Sequence, residues 1–214
     1  MGTKLAGLLL PLLFIGCGAG GHEKSDVAKA PVATATPVQP QTPVETGRMV
    51  LGPVSVLAPA NWEVREKQEG FSIFAPDRPE WATIGFRALI TVKKSPHPGA
   101  GVTLAKLKDG LDQMLNQSAA KVNELVKNEK VGLKEKIKYS LEQSQIDGAP
   151  VLVSAFSGVF QLPTGLVPAE TYSIQVLARD GVYGITLAYP GVMREEMDPV
   201  WSAFKDGLRI KAEY

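Results

Sequence analysis

The side chains able to do chemistry are few and scattered. Histidine occurs only at positions 22 and 97, and His97 lies between two prolines in Ser95-Pro96-His97-Pro98-Gly99. A catalytic imidazole must be oriented by a second group, commonly a carboxylate, and neither neighbourhood offers one. Two imidazoles and a single thiol do not make a zinc-type ligand set, so neither a metal nor another cofactor is expected. Ser154, Ser157 and Ser173 fall in strand-like segments rather than on a G-x-S-x-G elbow. Gly99 and Gly101 lack the strand–glycine–helix setting and the Lys-Ser/Thr pair of a phosphate loop. The carboxylates give one candidate: Asp77 and Glu80, flanked by Arg78 and Trp81, have the chemistry to hold a hard cation or the edge of a sugar. The competing reading makes both acids solvated turn residues, with Trp81 packed on a sheet. Glu195, Glu196 and Asp198 form a second acidic group, whose simpler role is to complement the dipole at a helix start. No catalytic residue is predicted.

The one thiol is better placed. Lys4 gives a positive start, Leu5 to Ile15 is an apolar run broken by Ala6, Gly7 and Pro11, and Gly16-Cys17 ends it. A helix over that run is roughly 16 Å long, about half of a ~30 Å hydrocarbon core, so it reads as a signal-peptide core rather than a membrane span. Phe14-Ile15-Gly16-Cys17 resembles the bacterial lipobox, with Phe14 where that pattern prefers leucine. The resemblance implies cleavage between Gly16 and Cys17 and acylation of the Cys17 sulfur. Each buried CH₂ then contributes about 0.8 kcal/mol, so two or more chains anchor stably in membrane lipid. It further implies a bacterial cell envelope, with the outer membrane favoured over the inner because Gly18 stands where an aspartate would signal retention.

From Gly18 to Gly47 the composition turns to Ala, Pro, Thr, Val, Gln and Gly, without an aromatic residue and punctuated by Pro31, Pro37, Pro40 and Pro43. Such a segment buries too little apolar surface to offset its ordering entropy and reads as a tether. Fully flexible, its thirty or so residues average about 30 Å end to end, enough to clear the lipid headgroups. The expected organisation is therefore a signal peptide over 1–16, a lipidated tether over 17–47 and a single domain over 48–214.

Hydrophobic residues at 44% and charged residues at 21% allow that domain a real core. A formal net charge of +1 argues against nucleic acid as a partner, since phosphate binding needs a concentrated basic field. Strands are expected over Val50–Leu57, Trp62–Lys67, Phe71–Phe74 and Ala82–Lys93. A helix then starts at an N-cap Thr103 and carries Leu104, Leu107, Leu111, Leu115, Val122 and Val126 at helical spacing. Four more strands follow, over 134–146, 150–161, 169–179 and 182–189, with hairpin turns requiring positive φ at Asp147-Gly148 and Asp180-Gly181. The loop Leu162–Pro168 joins two of them and offers Leu162, Leu166 and Val167 as a candidate partner surface, unless Leu166 tucks back on the core. Met197, Val200, Trp201, Phe204 and Leu208 trace the apolar face of a last helix, which Asp198-Pro199 either caps or kinks. This order predicts an α+β fold, with helices packed on a mostly antiparallel sheet.

Three stretches carry a family resemblance: the opening Val54-Ser-Val-Leu-Ala-Pro-Ala-Asn-Trp62, the hairpin Tyr172 to Tyr189, and the closing Trp201-Ser-Ala-Phe-Lys-Asp-Gly-Leu-Arg-Ile210. The domain is similar in these to the superfamily that joins the photosystem extrinsic protein PsbP, the Ran-binding Mog proteins and the bacterial lipoprotein DcrB. The resemblance implies a PsbP-like α+β sandwich and a binding or assembly role rather than an enzymatic one, with another envelope protein as the expected partner. The alternative is an envelope hydrolase or small-ligand carrier with a cleft near Asp77 and Glu80.

Overall fold

The computed structural model describes residues 47–127, 137–162 and 165–211. Gly16, Cys17, the expected tether up to residue 46 and positions 163 and 164 lie outside them.

The chain opens with a hairpin, β1 (Met49–Leu51) and β2 (Val54–Val56), where a single strand is expected. Gly52-Pro53 breaks it: Gly52 sits at φ 55, and a Cβ there would lie 2.3 Å from the Tyr183 hydroxyl, so only glycine turns here. β3 (Glu63–Lys67) and β4 (Gly70–Phe74) follow as expected.

The next segment departs from expectation. Residues 79–84 form a short helix, α1 (Pro79–Ile84), and the strand β5 starts only at Leu89 and ends at Ser95. Pro79 supplies the preset φ of a first helical turn, and Gly85 at φ 75 closes the helix, its N–H donating to the Trp81 carbonyl at 2.8 Å. These two punctuating residues outweigh the β-branched composition between them.

α2 (Leu104–Lys127) begins at Thr103, whose Oγ1 accepts from the Lys106 N–H at 3.3 Å. β6 (Tyr139–Ile146), β7 (Ala149–Leu162), β8 (Gly165–Ala178) and β9 (Gly181–Pro190) form the antiparallel meander. A 3-10 turn, Gly191–Met193, leads into α3 (Arg194–Gly207) and the short β10 (Arg209–Ile210). Asp198 and Pro199 lie inside α3, which starts at Arg194, so this pair neither caps the helix nor opens it.

Seven strands make one antiparallel sheet in the order β3-β4-β5-β9-β8-β7-β6, and β1-β2-β10 make a smaller one. Side-chain alternation sends the large sheet's two faces to different cores. On one face Ile73, Ile90, Val151, Ile174, Ile185 and Leu187 meet Met197, Trp201 and Phe204 of α3 and Val54 and Val56 of the small sheet. On the other, Leu152, Phe156 and Val182 meet Leu107, Leu111, Leu115 and Val122 of α2. The architecture is the expected α+β one, helices on a mostly antiparallel sheet. No described helix is long and apolar enough to cross a membrane.

Candidate functional site

α3 packs on its face of the sheet chiefly against β9 and leaves part of β6 and β7 uncovered beside it. Met197, Trp201 and Phe204 are its buried ridge. The neighbouring stripe of Asp198, Ser202 and Lys205, again at steps of four and three, overlooks the uncovered part of the sheet. There β6 offers Ser140 and Glu142, and β7 offers Val153 and Ala155, alternate residues of their strands. With Tyr172 and Trp201 these residues bound an open groove of about 360 Å³.

Its inner wall is a rigid aromatic stack. The Tyr172 ring lies parallel to Trp201 at 5.9 Å between centroids and 9° between planes, and Trp201 stacks in turn on Phe204 at 5.7 Å and 12°. Asp198 fixes the end of the wall by accepting from two phenols, Tyr189 Oη at 2.9 Å and Tyr172 Oη at 3.1 Å. Burial pushes the Tyr189 hydroxyl far above the ordinary phenol range, and the bonds to Asp198 and Tyr172 push it further. Tyr172 is raised as well, by burial first; its contact with Tyr189 opposes the shift and Asp198 reinforces it. Both phenols therefore stay protonated at neutral pH and act as donors.

Beyond this wall Ser157 Oγ donates to Glu170 at 2.7 Å, and Arg194 pairs with the other oxygen of the same carboxylate. The trio clasps β7, β8 and the start of α3 together. Two exposed charges also line the groove: among the described residues neither the Glu142 nor the Lys205 side chain has a hydrogen-bond or ion-pair partner.

The residues singled out from the sequence lie elsewhere. Asp77 and Glu80 are both exposed, one before α1 and one in its first turn. Between them Arg78 pairs with Glu196 of α3 at 2.5 Å, and the buried Trp81 donates from Nε1 to the Pro76 carbonyl at 2.9 Å. Among the described residues no group of three or more His, Cys, Asp and Glu converges on a possible metal position. Leu162, Leu166 and Val167 belong to strands rather than to the expected loop, because β7 and β8 pair without interruption to Leu162 and Gly165. Leu166 is half-buried, and Val167 packs on Phe86, Ala169 and Ala188. Between α2 and the sheet a cleft lined by Met114, Ser118, Phe156 and Ser173 holds only about 30 Å³, room for a water-sized guest.

The groove escaped sequence reasoning although part of its signal is local. The 198, 202, 205 stripe is visible beside the apolar ridge, but the approach of Tyr172 and Glu142 depends on strand order.

No protein-family model matches the chain. No curated protein matches it either. Among solved structures it is similar to PA94, a protein of unknown function from Pseudomonas aeruginosa, at 14% identity and a TM-score of 0.42 over 73% of this chain and 91% of that one. It is also similar to the cyanobacterial PsbP (CyanoP) of Synechocystis, at 11% identity and a TM-score of 0.46 over 77% and 92% of the two chains. A third is LpqN, involved in cell envelope biogenesis of Mycobacterium tuberculosis, at 12% identity and a TM-score of 0.40 over 74% and 83%.

Proposed function

We propose that this protein is a lipid-anchored, non-enzymatic binding module of a bacterial cell envelope, which holds a neighbouring envelope protein in the groove between α3 and β6. The observation that carries the reading is the combination of charges without a described partner and a fixed wall: Glu142 and Lys205 face an open groove whose aromatic side is held by stacking and by Asp198. A preformed surface of this kind loses little entropy on binding. The apolar run ending at Gly16-Cys17 and the proline-punctuated stretch after it supply the anchor and the reach. Confinement to one membrane surface raises the effective concentration of partner and groove, so a modest interface suffices.

A photo-crosslinking residue in place of the exposed Ser202, in cells of the native host, tests the reading. Expected is a discrete adduct with another envelope protein that Lys205→Glu diminishes. Adducts from position 202 no different from those of an exposed site away from the groove, such as Thr83, would overturn it.

A further inference from the structure

The seven-stranded sheet ends in two edges of different chemistry. β3, on one side, reads Glu-Val-Arg-Glu-Lys and is charged at every position but Val64. β6, on the other, runs for eight residues from Tyr139 to Ile146, and Glu142 is its only charge. It contains no proline and is paired with β7 along its whole length without a bulge. Among the described residues no strand covers its outer side. A long, regular edge of low charge presents a row of backbone N–H and C=O groups to any further strand, and proteins that must avoid such pairing protect the edge with charge, as β3 does.

Alternation joins this edge to the groove. Ser140 and Glu142 stand on the groove side of β6, whereas Tyr139 and Leu141 pack toward α2. A strand added outside β6 sets alternate side chains about 4.5–5.5 Å from Ser140 and Glu142, along the open flank of the groove. Among the described residues Glu142 there has no cation partner, and Lys205 across the groove no anion partner. A second copy of this chain does not satisfy Glu142 by pairing β6 with β6, because that strand carries no Lys or Arg.

We infer that β6 is a docking edge for an extended peptide segment of a partner protein, which adds as an eighth strand with a basic side chain facing Glu142 and an acidic one within reach of Lys205. Backbone hydrogen bonds along the edge supply the affinity, and the two groove charges select the sequence. The inference rests on the binding role proposed above and names the chemistry of its partner.

The test uses the full-length chain carrying Cys17→Ser, the synthetic peptide acetyl-TKVEVKT-amide, and a twin N-methylated at every residue so that neither edge of its backbone can donate to a strand. Hydrogen exchange should show saturable protection confined to β6 amides with the first peptide and none with the twin. Glu142→Lys should weaken binding about tenfold, the equivalent of one charge-assisted contact, and a peptide with Glu in place of Lys should restore it. Absence of protection at millimolar peptide, equal binding of the twin, or indifference to Glu142→Lys each overturns the inference. Protection of β6 that grows with protein concentration alone assigns the edge to self-association and overturns it too. Adducts from position 202 in cells, together with any of these failures, would leave the groove as a binding surface and remove only the added strand.

Discussion

Tyr189 is fully buried, and its hydroxyl is bonded to Asp198 at the end of the aromatic wall. Its folded-state ionisation lies well above that of a free phenol. Linkage fixes the sign: the stabilisation is complete below about pH 10, where an unfolded tyrosine is still protonated, and falls as pH rises and only the unfolded chain releases the proton. Tyr172 and Tyr183 are shifted in the same direction, burial being the first cause in each. Urea unfolding between pH 9 and 11 should therefore show stability declining, the part due to Tyr189 steepening toward about 1.4 kcal/mol per pH unit above pH 10, and Tyr189→Phe should lessen the decline. An unchanged slope in that variant would mean that Tyr189 titrates freely. None of this was legible in the sequence. Asp198 reads there as a helix-start acid, and its two phenolic partners come from β8 and β9, brought to it by a strand order that local spacing does not encode.

Most elements were legible, and the exceptions have identifiable causes. α2 announced itself by its apolar spacing and its Thr103 cap, and the meander by alternation and turn residues. α1 was hidden because one and a half turns are too short to establish a period, leaving Pro79 and Gly85 as the only signs. β7 and β8 run past their expected ends, since cross-strand pairing carries them through the proline at 168. The two hairpin glycines show how the same dipeptide serves different needs. Asp147 and Gly148 both have positive φ, 51 and 78°, as a tight two-residue turn demands. At Asp180-Gly181 the turn forms without positive φ, and glycine is required because a Cβ at 181 would lie 2.4 Å from the Ser95 carbonyl oxygen. Gly181→Ala should accordingly push β5 from β9 and cost about 1–3 kcal/mol in thermal unfolding, the range of an overpacked site. A cost below about 0.5 kcal/mol would show that the two strands yield easily.

The anchor proposed at Cys17 lies outside the described residues. Cys17→Ser should move the protein from the membrane fraction to the soluble fraction while its thermal unfolding stays the same. Fractionation of cells expressing the two forms checks this, and a variant that remains with the membrane would remove Cys17 from the account. The small sheet then acquires a mechanical meaning. Among the described residues the chain enters at Gly47, Arg48 donates to the Ser55 and Gly207 carbonyls, and β1 pairs with β2 alone, across three residue pairs beginning at Met49 and Val56. Traction along the chain from an anchored Cys17, with the groove held by a partner, would open those pairs one after another like a zipper instead of straining them in parallel. Such a hairpin gives way at low force and lengthens the leash by its own residues, so the seven-stranded sheet and whatever grips it are shielded from the pull.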